Sequence, residues 1–419
     1  MPTSSSTTIV IGAGVVGLST ALYLQRAGQR VIVIDALPPA SAASYGNSGL
    51  ISCDTAAPIA LPGMLGKVPG WLFDRLGPLV IRPSYLPKVL PWLVRWVEAS
   101  RFSRVFEVSD AMRALHKEAM NCWRELLGPE HFNDLIRTVG QVRIWEGGAG
   151  SESQIELAIC ARHGIKAETL SPDDIRQLYP EISPNIKSGV LIPNNGYTIN
   201  PQRLVQTLGN LLVAEGGQIL TERVLKIIPN AGQQGFMLMT NVNNHNVNQV
   251  VVASGAWSLA LLEPLGIKVP LETERGYHAM MPSPNITLKI PVSIKNRGFG
   301  LTSMEHGMRA AGTVEFAGLT ASPDEQRAKN LVTQAKRVFP TLQTGEPKYW
   351  LGFRPSTPDS LPVLGPVSHI PGLFLAFGHA HWGMTGGPPT GKLISQMVTG
   401  APLSIDPLPY SYKRFNQFI

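Results

Sequence analysis

Residues 7–35 read TTIVIGAGVVGLSTALYLQRAGQRVIVID. The apolar, β-branched run over 7–11 has the composition of a buried parallel strand. Gly12, Gly14 and Gly17 follow at G-x-G-x-x-G spacing, and Leu18, Leu22 and Leu24 then recur at helical spacing. Gly28 stands where a helix C-terminal glycine belongs, and residues 31–34 form a second apolar run ending at Asp35. Gly12 permits the tight turn, Gly14 lets backbone approach a pyrophosphate, and Gly17 lets the helix pack on the strand. The phosphates belong on the helix N-terminus, where free N–H groups and the macrodipole favour negative charge. Asp35, 23 residues after Gly12, is placed to accept hydrogen bonds from a ribose diol. Lone G-x-G-x-x-G runs also occur in βαβ units that bind nothing. Here strand, glycines, helix and acidic residue occur in order, and the stretch reads as a dinucleotide site.

Outward from that unit, 419 residues are enough for two domains sharing a large core. With 44% apolar and 16% charged residues, a globular chain is expected rather than a disordered one. Three cysteines (Cys53, Cys122 and Cys160) have no metal-ligand spacing and are too few for a disulfide framework, which suits a reducing cytoplasm. MPTSSSTT has no charged or apolar leader region, so no signal peptide is expected, and no run approaches the roughly 20 apolar residues of a membrane span. The net charge of +7 is spread along the chain without interleaved aromatics, which speaks against nucleic acid as a partner.

Residues 41–52, SAASYGNSGLIS, are small and polar; Gly46 and Gly49 allow close backbone approach to a flat ligand, although many polar loops have this composition. Residues 58–99 are rich in proline, with Trp71, Trp92 and Trp96 among Lys67, Arg82, Lys88 and Arg95. From Tyr85 onward Leu86, Val89, Leu90, Leu93 and Val97 approximate a helical stripe. This segment reads either as a cap over the active site or as an interfacial segment against lipid. Further on, the pattern predicts a long helix over about 107–127, a strand VGQVRIW, a helix over 151–163 and a serine-capped helix in SPDDIRQLYPEI. Next come a helix in PQRLVQTLGNLLVAEGGQI, a strand TERVLKII, the runs FMLMTN and VNQVVVASGAWS, and a hairpin-like RGFGLTSMEHGMRAAGTVEF turning at Gly307. In WLGFRPSTPDSLPVLGPV, the guanidinium of Arg354 suits a substrate carboxylate, the alternative being an ion pair with Asp359 or another carboxylate. Gly383, Met384 and Thr385 precede a helix expected over 392–397, and their N–H groups suit a developing negative charge. His379 and His381 lack a third ligand nearby, so no metal site is expected.

G-x-G-x-x-G, then an acidic residue, S-x-x-N-x-G, a returning A-S-G-A-W and G-F-R-P-S-T-P-D-S-L-P-V-L-G together resemble the flavin-dependent D-amino-acid oxidase superfamily, most of all its bacterial D-amino-acid dehydrogenases. The resemblance implies an α/β fold: a Rossmann-like FAD-binding domain with an inserted substrate domain on a mixed or antiparallel sheet. The expected segments are 1–57, 195–270 and 350–419 for FAD, and 58–194 and 271–349 for substrate. It implies FAD contacts from Gly12, Ala13, Gly14, Val15, Val16, Gly17, Asp35 and Ala36, and from Ser44, Asn47, Ser48, Gly49 and Leu50 along the ribityl chain and ring. Val224 would offer backbone to adenine, Ala253, Ser254 and Gly255 would pass the pyrophosphate, and Gly383, Met384 and Thr385 would face the flavin. No histidine stands in the S-x-x-N-x-G loop, so FAD is expected to be non-covalent.

Catalytic candidates on this resemblance are Arg354, Arg275, Tyr277 and His278, with strand packing as the alternative for the last two. The implied reaction is oxidation of a D-amino acid to an imino acid and then a 2-oxo acid, with electrons passed to a quinone, another acceptor or oxygen. Where many D-amino-acid dehydrogenases have K-G-Y-S this chain has R-G-Y-H, and W-G-M-T-G-G-P-P carries a bulky Trp382 and two prolines, which keeps a cyclic secondary amine such as D-proline open as substrate. A flavin subunit serving electron transfer or assembly is the reading from a different class. A cytoplasmic location, with possible peripheral contact at the inner membrane face, completes the expectation.

Overall fold

The computed structural model describes residues 7–148, 151–230 and 234–418. The opening MPTSSS, read above for a leader, lies outside the described residues. The first strand, Thr7–Ile11, pairs in parallel with Arg30–Asp35 on one side and Gln249–Val252 on the other. Gln218–Thr221 and Leu373–Phe377 extend this into a six-stranded sheet, closed by Val363–Pro366 running antiparallel at the edge. Alternate residues feed two cores. Val10, Val33 and Val251 pack against the helices Val15–Arg26, Pro201–Ala214 and Gly383–Thr399, while Ile9, Ile11 and Val250 pack on the opposite face. Both faces are covered, which is why these strands are apolar throughout.

The second sheet has nine strands and is mixed. Glu272–Met281 lies second from one edge, antiparallel to both the edge strand Lys348–Ser356 and Gly307–Phe316; Phe299–Met304, Val292–Ile294 and Gln141–Glu146 continue the sheet. The helix Glu325–Val338 covers one face, burying Leu331, Ala335 and Val338 with Tyr277, Ala279 and Met281. Gly307 turns the expected hairpin at φ +131°. Strand Lys348–Ser356, which carries Arg354, belongs to this second sheet.

Several local expectations are corrected. The helix over 107–127 is divided between Phe102–His116 and the segment Ala119–Leu135, which is itself kinked beyond that range at Gly128 (φ +67°). No glycine or proline marks the break between the two; His116 is buried beside it, its Nδ1 3.1 Å from the Thr55 carbonyl. TERVLKII is divided between Gln218–Thr221, in the first sheet, and Val224–Pro229, in a small three-stranded sheet. The cap helix Leu86–Ala99 buries Val89 and Trp92, whereas Leu86 and Leu90 of the expected stripe face outward. The C-terminal helix begins at Gly383, so Gly383, Met384 and Thr385 form its first turn instead of preceding it. Pro388 cannot donate to the Met384 carbonyl four residues back. Trp123 Nε1 donates to that oxygen at 2.9 Å and replaces the missing bond.

Candidate active site

A chamber of about 940 Å³ lies between the two sheets. At its first-sheet end, backbone meets backbone. A Cβ on Gly12 would sit 2.4 Å from the Ala253 carbonyl oxygen, and one on Gly17 would sit 1.9 Å from that of Gly12. The Val15 amide donates to Ser44 Oγ at 3.0 Å, leaving the Val16 and Gly17 amides without intrahelical partners at the start of the helix. Asp35 accepts from the amides of Ala13 at 2.7 Å and Leu37 at 2.9 Å. Burial raises its pKa, and these amides oppose that rise. Gly12, Gly14, Val15, Val16, Asp35 and Ala36 line this end, and Val224, Ala253, Ser254 and Gly255 close its other wall. Ala13 and Gly17 stand behind the lining, and act through the turn and the helix contact. Asp35→Ala removes both amide anchors together with the carboxylate expected to meet a ribose. It should weaken FAD retention at least tenfold, read as flavin lost on gel filtration, while turnover in FAD-saturated protein changes little; unchanged affinity with lost turnover would show that Asp35 is misplaced.

Past the glycine-rich end, residues 44–50 cross beneath the second sheet. The sheet holds this loop through side chains that the sequence did not single out. Arg309 Nη1 donates to the carbonyls of Tyr45 at 3.0 Å and Asn47 at 2.7 Å, and Thr302 Oγ1 donates to that of Ser48 at 3.0 Å. Burial lowers the Arg309 pKa to about 10. His278 belongs to the same support: its Nδ1 is 3.1 Å from the Gly46 carbonyl oxygen and its ring stacks on Trp350 at 5.2 Å. Burial, with Arg309 nearby, lowers its pKa to about 3. The room at Gly46 is filled by the Trp350 indole, 1.7 Å from where a Cβ would lie. Asn47, Ser48 and Leu50 line the chamber, and Gly49, at φ +79°, lets the chain leave it. From the opposite side the first turn of the C-terminal helix presents Gly383, Met384 and Thr385, with Thr385 Oγ1 accepting from the Ser52 amide at 2.9 Å.

The remaining wall is the second sheet. Arg354 lies over Gly276, where a Cβ would come within 2.1 Å of its guanidinium carbon. It donates to the carbonyls of Thr313 at 2.9 Å and Gly312 at 3.4 Å. Asp359, the ion-pair partner weighed above, is bound instead by Arg414, at 2.7 Å. Among the described residues no carboxylate stands in salt-bridge contact with Arg354. Burial pulls its pKa below the ordinary arginine value, opposed by the nearby Glu274. Glu274 sits directly across the strand pair from Arg354 and is 2.7 Å from His381 Nε2. Burial would raise the Glu274 pKa, but His381 and Arg354 hold it below the ordinary carboxylate value. The two histidines diverge: His379 Nε2 is 2.8 Å from Thr390 Oγ1, and burial lowers its pKa to about 3.

Arg275 and Tyr277 project from the other face of their strand. The Tyr277 hydroxyl donates to Glu315 at 2.6 Å and accepts from the Asp324 amide at 3.0 Å; Arg275 is fully buried, 3.5 Å from Glu315. Tyr277 borders the chamber, but its hydroxyl is engaged behind the sheet. Trp71, Trp92 and Trp96 of the cap segment line a further wall, and Arg143, Glu156 and Lys295 form a linked group at the far end, with contacts of 2.9 and 2.6 Å to Glu156.

Glycine-enforced backbone contacts, two helix N-termini aimed into one chamber and a half-buried carboxylate suited to a ribose fit a flavin dinucleotide, so fold and site together define a dinucleotide-dependent oxidoreductase. The chain belongs to the DAO family of FAD dependent oxidoreductases, whose family model matches residues 7–397. FAD is its cofactor. It is 36% identical to a D-amino-acid oxidase of Bradyrhizobium diazoefficiens, covering 97% of this chain and 98% of that one. It is 29% identical to a D-amino acid dehydrogenase of Vibrio vulnificus, covering 94% and 95% respectively. Among solved structures, L-proline dehydrogenase from P. horikoshii superposes with a TM-score of 0.77 at 17% identity, covering 99% of this chain and 98% of that one. Glycine oxidase from Geobacillus kaustophilus superposes at 0.71 with 21% identity, covering 98% and 99%. At these identities the structural likeness speaks for the fold alone.

Proposed function

We propose that this chain oxidises a D-amino acid at its CH–NH2 bond to the imino acid, which water hydrolyses to the 2-oxo acid. The observation that carries the reading is Arg354, a guanidinium lining the chamber with no carboxylate in salt-bridge contact among the described residues. FAD, held by the Gly12–Gly17 turn, Asp35 and the 44–50 loop, would supply a two-electron acceptor for the Cα hydrogen. Arg354 would hold the substrate carboxylate and thereby fix Cα. The first-turn amides of Gly383, Met384 and Thr385 would offset negative charge on the reduced ring. The names of the sequence relatives support the substrate class. Of the other candidates, Arg275 and Tyr277 would keep the strand rigid from behind and His278 would brace the flavin loop.

We infer a quinone or other carrier as the electron acceptor. The support is the tryptophan-lined wall, together with Leu65, Leu72, Phe73, Leu86 and Leu90 exposed on the outside of the same segment, a surface suited to peripheral contact with the inner membrane face of the cytoplasm. No described helix is long and apolar enough to cross a membrane. The name of the Bradyrhizobium relative favours a second reading, an oxidase using oxygen. Turnover of a panel of D- and L-amino acids, glycine and D-proline, with an artificial acceptor and with or without oxygen, tests both. Activity on D-amino acids that needs the acceptor supports the dehydrogenase, acceptor-independent peroxide release supports the oxidase, and a silent panel overturns the reading. The same preparation should be yellow and release its FAD on acid denaturation, since no loop histidine is present to bond it; flavin left on the denatured chain would refute non-covalent binding.

A further inference from the structure

An amino acid at neutral pH carries –NH3+, which has no lone pair with which to form the C=N bond of the product. One proton must leave nitrogen before, or as, the Cα hydrogen departs with its electron pair. The titratable groups bordering the chamber are mostly committed elsewhere. Asp35 holds two backbone amides at the dinucleotide end, and Glu156 is held between Arg143 and Lys295. Glu222 binds Thr240 and His245, His379 is bonded to Thr390, and the Tyr277 hydroxyl is bonded to Glu315.

His381 differs. It lines the chamber with its side chain 36% exposed, and its Nε2 is 2.7 Å from Glu274, a residue 3% exposed. Among the described residues its Nδ1 has no hydrogen-bond partner. A carboxylate on Nε2 selects the Nε2–H tautomer and leaves the lone pair on Nδ1. Glu274 lies opposite Arg354 in the strand register, so the carboxylate anchor and the histidine flank one buried acid. In a substrate, carboxylate and ammonium are likewise joined through one carbon.

We propose that His381 is the base that accepts a proton from the substrate ammonium group, with Glu274 as its positioning residue. The N–H bond of the ammonium breaks, a bond forms between that proton and Nδ1, and the resulting imidazolium is balanced by the Glu274 carboxylate. The freed lone pair forms C=N as the Cα hydrogen leaves with its electron pair for the two-electron acceptor that bound FAD would supply, and the imidazolium returns its proton to water on product release. The charged groups facing His381 are Glu274, from strand Glu272–Met281, and Arg354, behind it on Lys348–Ser356. On its own segment the Trp382 ring lies 6.0 Å away. Trp382 in turn is 6.1 Å from His116 on the helix Phe102–His116.

This inference rests on amino-acid oxidation as the reaction. The test measures kcat/KM against pH for FAD-loaded wild type, His381→Gln, His381→Asn and Glu274→Gln, using the best D-amino acid of the panel. Both His381 variants should lose about a hundredfold at pH 7. The loss should shrink steadily toward the substrate's own ammonium pKa, where free amine arrives already deprotonated. Glu274→Gln should show a smaller loss of the same pH dependence, because an amide no longer balances the imidazolium formed in the step. Binding of the 2-oxo acid product, followed through the flavin absorption band, should stay within about twofold of wild type in the His381 variants, since it has a carboxylate and no ammonium. A pH-independent loss in both His381 variants, or an equal loss of 2-oxo acid binding, assigns His381 to packing and overturns the proposal. A wild type without amino-acid turnover overturns the functional reading and this proposal with it, an outcome distinguishable from the others.

Discussion

Arg354→Ala should lower kcat/KM for the amino-acid substrate by about a thousandfold, and Arg354→Lys by roughly ten- to a hundredfold. A hydrogen bond to a charged partner contributes about 1.5–3 kcal/mol; alanine removes a bidentate pair, whereas lysine keeps the charge but loses the fork that fixes Cα. Flavin content and absorption should stay near wild type, because the guanidinium is bonded to Gly312 and Thr313 on the second sheet and not to the dinucleotide cradle. A carboxylate-free amine provides the decisive comparison. It should be a poor substrate for wild type and lose little more in the variants. Equal losses on amino acid and amine would sink the anchor. Tyr277 could not then inherit the role, since its hydroxyl is bonded to Glu315 behind the sheet, which would leave Arg275, buried with its guanidinium nitrogens unpartnered, to be tested next.

Gly17→Ala should abolish FAD retention. The added Cβ would lie 1.9 Å from the Gly12 carbonyl oxygen, and Gly12 has nowhere to retreat: it holds φ +121° with its own Cβ position 2.4 Å from the Ala253 oxygen. Relief requires the helix to separate from the strand end, which disperses the amides facing the phosphates. Overpacking of a rigid contact costs about 1–3 kcal/mol or more. Gly28→Ala is the control. Its Cβ meets open space, so the variant bears only the left-handed backbone penalty at φ +85°, about 1–2 kcal/mol, and should remain yellow. Flavin-to-protein ratio and Tm report both outcomes. A Gly17→Ala protein with full flavin and wild-type Tm would mean that the helix packs on the strand less closely than the structure has it.

The dinucleotide unit was legible because its signals are local. A β-branched run, three glycines at fixed spacing, a helix and an acidic residue lie within 29 residues, although Gly12 is crowded by the distant Ala253 carbonyl and only Gly17 by backbone within the unit. Arg354 stood out for a related reason, the density of its surrounding motif. Other features were not encoded locally. Strand periodicity places Glu274, Gly276 and His278 on one face and Arg275 and Tyr277 on the other, but periodicity is symmetric between faces. The helix Glu325–Val338, packed under Tyr277, settles which face is buried and so turns Glu274 toward the chamber. The long stripe over 107–127 hid a break that no glycine or proline marks; beside it His116 is buried against Thr55, a contact across 61 positions. His381 could be read only as half of an incomplete metal site until folding brought Glu274, 107 positions away, within 2.7 Å. Local backbone chemistry thus specifies where the cofactor is held, whereas the choice of side chains facing the substrate depends on sheet register and on the helix beneath it, which are long-range packing decisions.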